Sequence, residues 1–134
     1  MIVLDTSALV AILLGEPASL RIRERLASDP ERVMSVASYV EAGTVIAGRL
    51  GSRATAAPRD LDIVLGEAGI RLLAVDEDQA HIALEARIRY GRGFGSAAKL
   101  NYGDCFAYAL ARALDAPLLY IGDDFTHTDV KSAL

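Results

Sequence analysis

Residues 1–17 read MIVLDTSALVAILLGEP. Ile2–Leu4 is a short apolar run led by two β-branched residues, the composition of a buried strand. Asp5, Thr6 and Ser7 follow at once, and their short oxygen-bearing side chains are the ones that start helices, here ahead of an apolar run that Gly15 and Pro17 bring to a stop. A strand that runs straight into a helix is the first half of a parallel βαβ unit, and the pattern recurs downstream. Pro17 opens a helical stretch, PASLRIRERLASD, with Leu20, Ile22 and Leu26 apolar among arginines and Asp29-Pro30 as its break. Val33–Val36 is a second strand candidate, leading into a helix from about Ser38 to Leu50 that Gly51 closes. A further helix from Ala54 or Pro58 to Ala68 is punctuated by Gly69 before the third strand, IRLLAV.

The second half continues in the same style. Glu77–Tyr90 is helical, the glycine-rich GRGFGSAAKLNYG is a loop, Asp104–Leu114 is an alanine-rich helix, and LLYIG after Pro117 is the fourth strand. A short extended piece is expected around Thr128–Val130. Strands alternating with one or two helices imply right-handed crossovers, so the fold class is α/β: a three-layer arrangement of a parallel sheet with helices on both faces.

At 134 residues the chain has the size of one domain, expected to span residues 1–134. Residues of hydrophobic type make up 52%, enough for a substantial core and too many for a disordered chain. Charge or glycine interrupts every apolar run well before the roughly 18 residues of a membrane span, and the acidic start is no secretory leader, so a cytoplasmic protein without membrane contact is expected. Cys105 is the one cysteine, which excludes an internal disulfide and a cysteine-built metal site; it reads as a buried filler. A formal net charge of −4 lacks the basic footprint of broad, non-specific nucleic-acid binding, and no direct binding of DNA is expected.

Acids stand where segments turn: Asp5, Glu41 in SYVEA, Asp104 in NYGDC, and Asp123-Asp124 after LLYIG. Singly, each has a local explanation. Ser38-x-x-Glu41 fits a capping box, Asn101-x-x-Asp104 is a relative of one, Asp5 sits where an N-cap would, and Asp123-Asp124 suit a turn. Together they mean more, because strand-to-helix turns of a parallel sheet all lie at its carboxyl edge and converge on one crevice. Carboxylates gathered there disfavour one another's ionisation unless a cation compensates. Oxygen donors suit Mg²⁺, with Mn²⁺ as a substitute, whereas Zn²⁺ would recruit His or Cys, and His81 and His127 lie far from any ligand spacing. Such a site hydrolyses phosphodiesters. Thr6 or Ser7 would then hold a water or a phosphate oxygen, or simply cap a helix.

MIVLDTSALVAILLGE at 1–16, S-x-x-E ending at Glu41, LNYGDCFAYALA at 100–111 and LLYIGDDFTHTD at 118–129 resemble the PIN domain of VapC toxins, the toxin halves of VapBC toxin–antitoxin pairs. The resemblance runs almost from end to end, and its ordered motifs are more specific than any one of them. It implies a Mg²⁺- or Mn²⁺-dependent endoribonuclease, neutralised by a small VapB-type antitoxin that would also supply any DNA contact, and a homodimer. By motif, Asp5 and Asp104 match the principal metal ligands and Glu41 the third acid; Thr6 or Ser7 matches the hydroxyl after the first acid. For the fourth acid Asp123 is preferred to Asp124 because it comes first after the strand. Of the cations near the glycine loop, Arg87, Arg89, Arg92 and Lys99, the RNA backbone is assigned to Arg92 and Lys99.

Other readings are weaker. Gly91–Ser96 follows a helix instead of a strand and lacks phosphate-loop spacing. A receiver-like phosphatase would need a lysine after a late strand, where acids stand instead. A degenerate PIN fold that only binds protein would have little use for the intact acid set.

Overall fold

The structure is a computed structural model describing residues 1–134. Four strands, β1 (Ile2–Leu4), β2 (Arg32–Ser35), β3 (Ile70–Leu73) and β4 (Leu118–Leu119), form one parallel sheet in the order β3-β2-β1-β4. Six α-helices connect them: α1 (Thr6–Leu13), α2 (Ser19–Ala27), α3 (Val36–Leu50), α4 (Ala57–Ala68), α5 (Glu77–Tyr90) and α6 (Asp104–Ala113). Strand side chains alternate between two cores. Ile2, Leu4, Met34 and Leu119 join α1 to α4 on one face, while Val3, Val33 and Leu118 join α5 and α6 on the other. That is the expected three-layer α/β class. None of the helices is long and apolar enough to cross a membrane.

Several boundaries differ from the sequence expectation, each for a local reason. The second strand ends at Ser35, not Val36, because Ser35 is the N-cap of α3: its hydroxyl accepts the N–H of Ala37 at 3.2 Å while its backbone is still extended. Ser38 therefore lies inside the first turn, buried, and does not form the capping box read with Glu41. Gly51 does close α3, and residues 51–56 wind as a 3-10 helix into α4. The fourth strand is shorter than LLYIG because the N–H of Ile121 donates to Ser7 Oγ at 3.0 Å instead of continuing the ladder. The last extended piece pairs later than Thr128–Val130. There Leu118 donates to the Lys131 carbonyl and accepts from Ala133, with turns occupying the intervening segment.

The strand order places a switch point between β1 and β4: the chain leaves β1 towards β2 and β3 on one side, then crosses back through α5 and α6 to β4 on the other. A crevice opens outside the carboxyl ends of strands at such a point. α6 precedes β4 and must run antiparallel to it, so its first residue, Asp104, arrives at the same edge as Asp5.

Candidate active site

Asp5 divides its two carboxylate oxygens between folding and chemistry. Oδ2 caps α1, accepting the Ser7 N–H at 2.9 Å and the Ser7 hydroxyl at 2.6 Å. Oδ1 is buried and has no hydrogen-bond partner. An ionised carboxylate oxygen out of water and unpaired is costly, and burial accordingly lifts the carboxyl to about 6, with the Glu41 charge adding to the rise and the Ser7 bonds opposing it.

Asp104 repeats the division. Its Oδ2 accepts the Asn101 N–H at 2.9 Å while Asn101 Oδ1 accepts the Asp104 N–H at 2.8 Å, a reciprocal cap that fixes the approach to α6. The other oxygen takes no protein hydrogen bond. Burial lifts this carboxyl to about 7; the Asn101 bond opposes that, and the charges of Asp5, Asp124 and Glu41 push it further. Those three charges identify the acids gathered about Asp104.

Glu41 projects from the second turn of α3 against the entry to α6. A Cβ built on Gly103 would overlap its carboxylate. Gly103 has helical backbone angles, φ −64° and ψ −42°, so alanine is favoured there by the backbone and opposed by the acid. Gly103→Ala is expected to keep or slightly raise the melting temperature, because the flexible Glu41 swings aside. Any activity that needs Glu41 in place should fall at least about tenfold, as for misplaced catalytic groups. A variant with unchanged activity would remove Glu41 from the site.

Of the adjacent pair after β4, both exposed, Asp124 is an acid whose charge helps to raise the Asp104 carboxyl. The preference for Asp123 rested on its being first after the strand. Gly122, with φ 96°, a conformation open to glycine, turns the chain ahead of both acids.

Residues 2–131 match the PIN domain family. A Ribonuclease VapC of Mycolicibacterium smegmatis is 50% identical over 130 residues, spanning 97% of this chain and 98% of the relative. The chain belongs to the VapC family of PIN-domain proteins. Ribonuclease VapC42 of Mycobacterium tuberculosis is 44% identical over 131 residues, 98% of each chain. Among solved structures, Mycobacterium tuberculosis VapC20, described as a sarcin-ricin loop cleaving toxin, superimposes with a TM-score of 0.75 at 22% identity over 97% of this chain and 96% of that one. The VapBC2 structure from Rickettsia felis, bound to a DNA fragment from their promoter, has a TM-score of 0.74 at 17% identity over 98% and 96%. At these identities the two structures speak for the VapC fold alone.

The hydroxyls of this VapC protein are already engaged. Thr6 Oγ1 donates to the Ser38 carbonyl at 3.2 Å, tying α1 to α3, and Ser7 Oγ donates to Asp5 while accepting from Ile121. A hydroxyl has one proton. In this arrangement neither has a proton to give a phosphate oxygen; Thr6 links α1 to α3 and Ser7 positions Asp5.

The cations sort themselves by partner. Arg89 and Arg112 lie 3.8 and 3.6 Å from Asp129, which also accepts the Tyr108 hydroxyl at 2.6 Å, so Arg89 is not free as the sequence suggested. Arg92 and Lys99 are exposed in the 91–103 loop and form no ion pair. Cys105 is buried, its thiol donating to the Asn101 carbonyl at 3.3 Å and pushed up to about 11 by burial, which leaves it inert. His81 and His127 are exposed.

The donor set fits a hard divalent cation. It consists of carboxylate oxygens, two of them held ready by caps that use the other oxygen of the same group. No three of the acids already meet round a point at ligand distance.

Proposed function

We propose that this chain is a divalent-cation-dependent endoribonuclease acting in the cytoplasm as the toxin of a toxin–antitoxin pair, with Asp5, Glu41, Asp104 and Asp124 as its acids. The observation that carries this reading is the buried, partnerless Oδ1 of Asp5 beside an Asp104 carboxyl that three neighbouring acids press towards neutrality. Mg²⁺, or Mn²⁺ in its place, would be held by these carboxylates, and when bound it neutralises them, polarises a phosphate oxygen and makes water a better nucleophile. Ser7 holds Asp5 in one rotamer, and the Asn101 cap holds Asp104. Arg92 and Lys99 contact the RNA backbone. The names of the relatives supply the substrate class, and the likeness to a toxin–antitoxin complex from Klebsiella pneumoniae, TM-score 0.71 at 18% identity, supports an antitoxin partner, which we take to be VapB-type. We take the chain to act as a homodimer and to reach DNA only through its antitoxin.

Purified protein should cut RNA with Mg²⁺ or Mn²⁺ and stop when the cation is chelated. In the same gel assay Asp124→Asn should remove cleavage, while Asp123→Asn should stay within about threefold of wild type. The opposite ranking would restore Asp123 as the fourth acid. Cleavage indifferent to chelation would overturn the metal mechanism.

A further inference from the structure

Tyr102 stands out from the rest of the surface. At 74% exposure it is the most exposed large apolar side chain in the molecule, and it stands on a braced turn. The reciprocal bonds between Asn101 and Asp104 fix the backbone on both sides of it, and its ring rests edge-on against Phe106, with centroids 5.0 Å apart and planes at 75°. One side of the ring lines a cavity of about 340 Å³ that also contains Val40, Phe106 and the Glu41 carboxylate. Tyr102 also lines a second cavity, of about 310 Å³, with Leu84 and Arg87.

We propose that Tyr102 is the stacking platform for a nucleobase beside the scissile phosphate, with the base in the cavity that ends at Glu41. The inference rests on the ribonuclease reading above and adds to it where the substrate's bases lie. Single-stranded RNA is held by aromatic faces that stack its splayed bases, combined with positive charge along the backbone. An aromatic fixed before the ligand arrives loses little freedom on binding. Glu41 belongs to both the acid cluster and the cavity, so the occupant of the cavity is the nearest neighbour of the group held at the acids, which in this reaction is a nucleotide of the same strand. The Asn101 side-chain NH2 and the Tyr102 hydroxyl have no partner within the protein, and they give the cavity a polar rim that suits the heteroatom edge of a base better than an aliphatic side chain. Beyond the ring, Arg87 lies with its guanidinium 5.3 Å from the Phe94 centroid and has no carboxylate partner, leaving a positive charge for the next phosphate.

The test uses an unstructured oligoribonucleotide that the wild-type protein cuts at one bond with Mg²⁺, and a series of the same strand with one abasic nucleotide at each position flanking the cut. Tyr102→Ala should lower kcat/KM about 10- to 100-fold, chiefly through KM, whereas Tyr102→Phe, which keeps the ring and loses only the rim hydroxyl, should fall clearly less than Tyr102→Ala. One abasic position should cost the wild type the same factor and cost Tyr102→Ala nothing. An abasic penalty undiminished in Tyr102→Ala assigns the ring a merely structural role and overturns the proposal. So does a Tyr102→Ala protein that cuts like wild type; if that variant instead escapes inhibition by its antitoxin, the cavity belongs to a protein partner. A wild-type protein that leaves every RNA intact with Mg²⁺ and Mn²⁺ sinks the ribonuclease reading itself and this inference with it.

Discussion

Replacing Asp5 or Asp104 with asparagine is expected to abolish RNA cleavage and, in cation-free protein at pH 8, to raise the melting temperature. Residues that merely support a fold behave the other way. Both carboxyls are buried and lifted, to about 6 and about 7, so at pH 8 each is ionised in surroundings that oppose the charge. Asparagine removes the charge and keeps the acceptor: its one amide oxygen can take over the bond from Ser7 or from the Asn101 N–H that Oδ2 now receives. The gain should be about 5 °C for either variant, given the few kcal/mol that such a displaced pKa represents and a chain of this length. At pH 4 it should vanish, since the folded protein then carries both groups protonated. Calorimetry at the two pH values, beside an RNA cleavage gel, separates the outcomes. A variant less stable than wild type at pH 8 would mean that these acids hold the fold together, and one that still cuts RNA would remove them from the chemistry.

That trade between stability and chemistry explains why the site was partly legible in sequence. Asp5 and Asp104 sit at helix starts, where short acids are common for structural reasons; Asp5 caps α1 and Asp104 bonds back to the Asn101 N–H, and the crevice that joins them follows from parallel topology, which apolar runs and cap residues already imply. What remained hidden was decided by contacts distant in sequence. Ser7 meets Ile121 across 114 positions, which fixes its role as a positioning residue and ends β4 early. Arg89 is neutralised by Asp129, 40 positions later. Ser35 and Ser38 are equally competent caps on paper, and only the backbone turn at Ser35 settles which one meets an N–H. Asp123 and Asp124 are adjacent and both exposed behind the turn at Gly122, and no residue pattern ranks one above the other. The substrate class came from ordered motifs and not from periodicity: an α/β sheet with acids at one edge permits many phosphoryl chemistries, and the family match narrows them.

The same two acids should give cation-free protein a stability that falls as pH rises from about 4 to about 7, the reverse of ordinary acid denaturation. The unfolded chain releases these protons near pH 3.8, whereas the folded chain keeps them until about 6 for Asp5 and about 7 for Asp104. Between those limits the folded state holds more protons, so each step up in pH favours unfolding, and the loss is complete and flat once both groups are ionised in both states. Asp29 and Asp129 act in the opposite sense, held below the usual carboxylate range chiefly by hydrogen bonds from the N-terminus and from Tyr108. Their contribution is already in place above about pH 4 and does not mask the decline. A divalent cation binds the ionised acids of the folded chain and has no such cluster to bind in the unfolded one, so it stabilises by mass action where the acids are ionised and hardly at all where they hold protons. Millimolar Mg²⁺ should therefore raise the melting temperature by several degrees at pH 8, have little effect at pH 4.5, and lose its effect in Asp5→Asn and Asp104→Asn. A melting temperature that climbs steadily from pH 4 to pH 7 without cation would contradict the raised carboxyls, and one that ignores Mg²⁺ at pH 8 would leave the unpaired oxygen of Asp5 without its proposed partner.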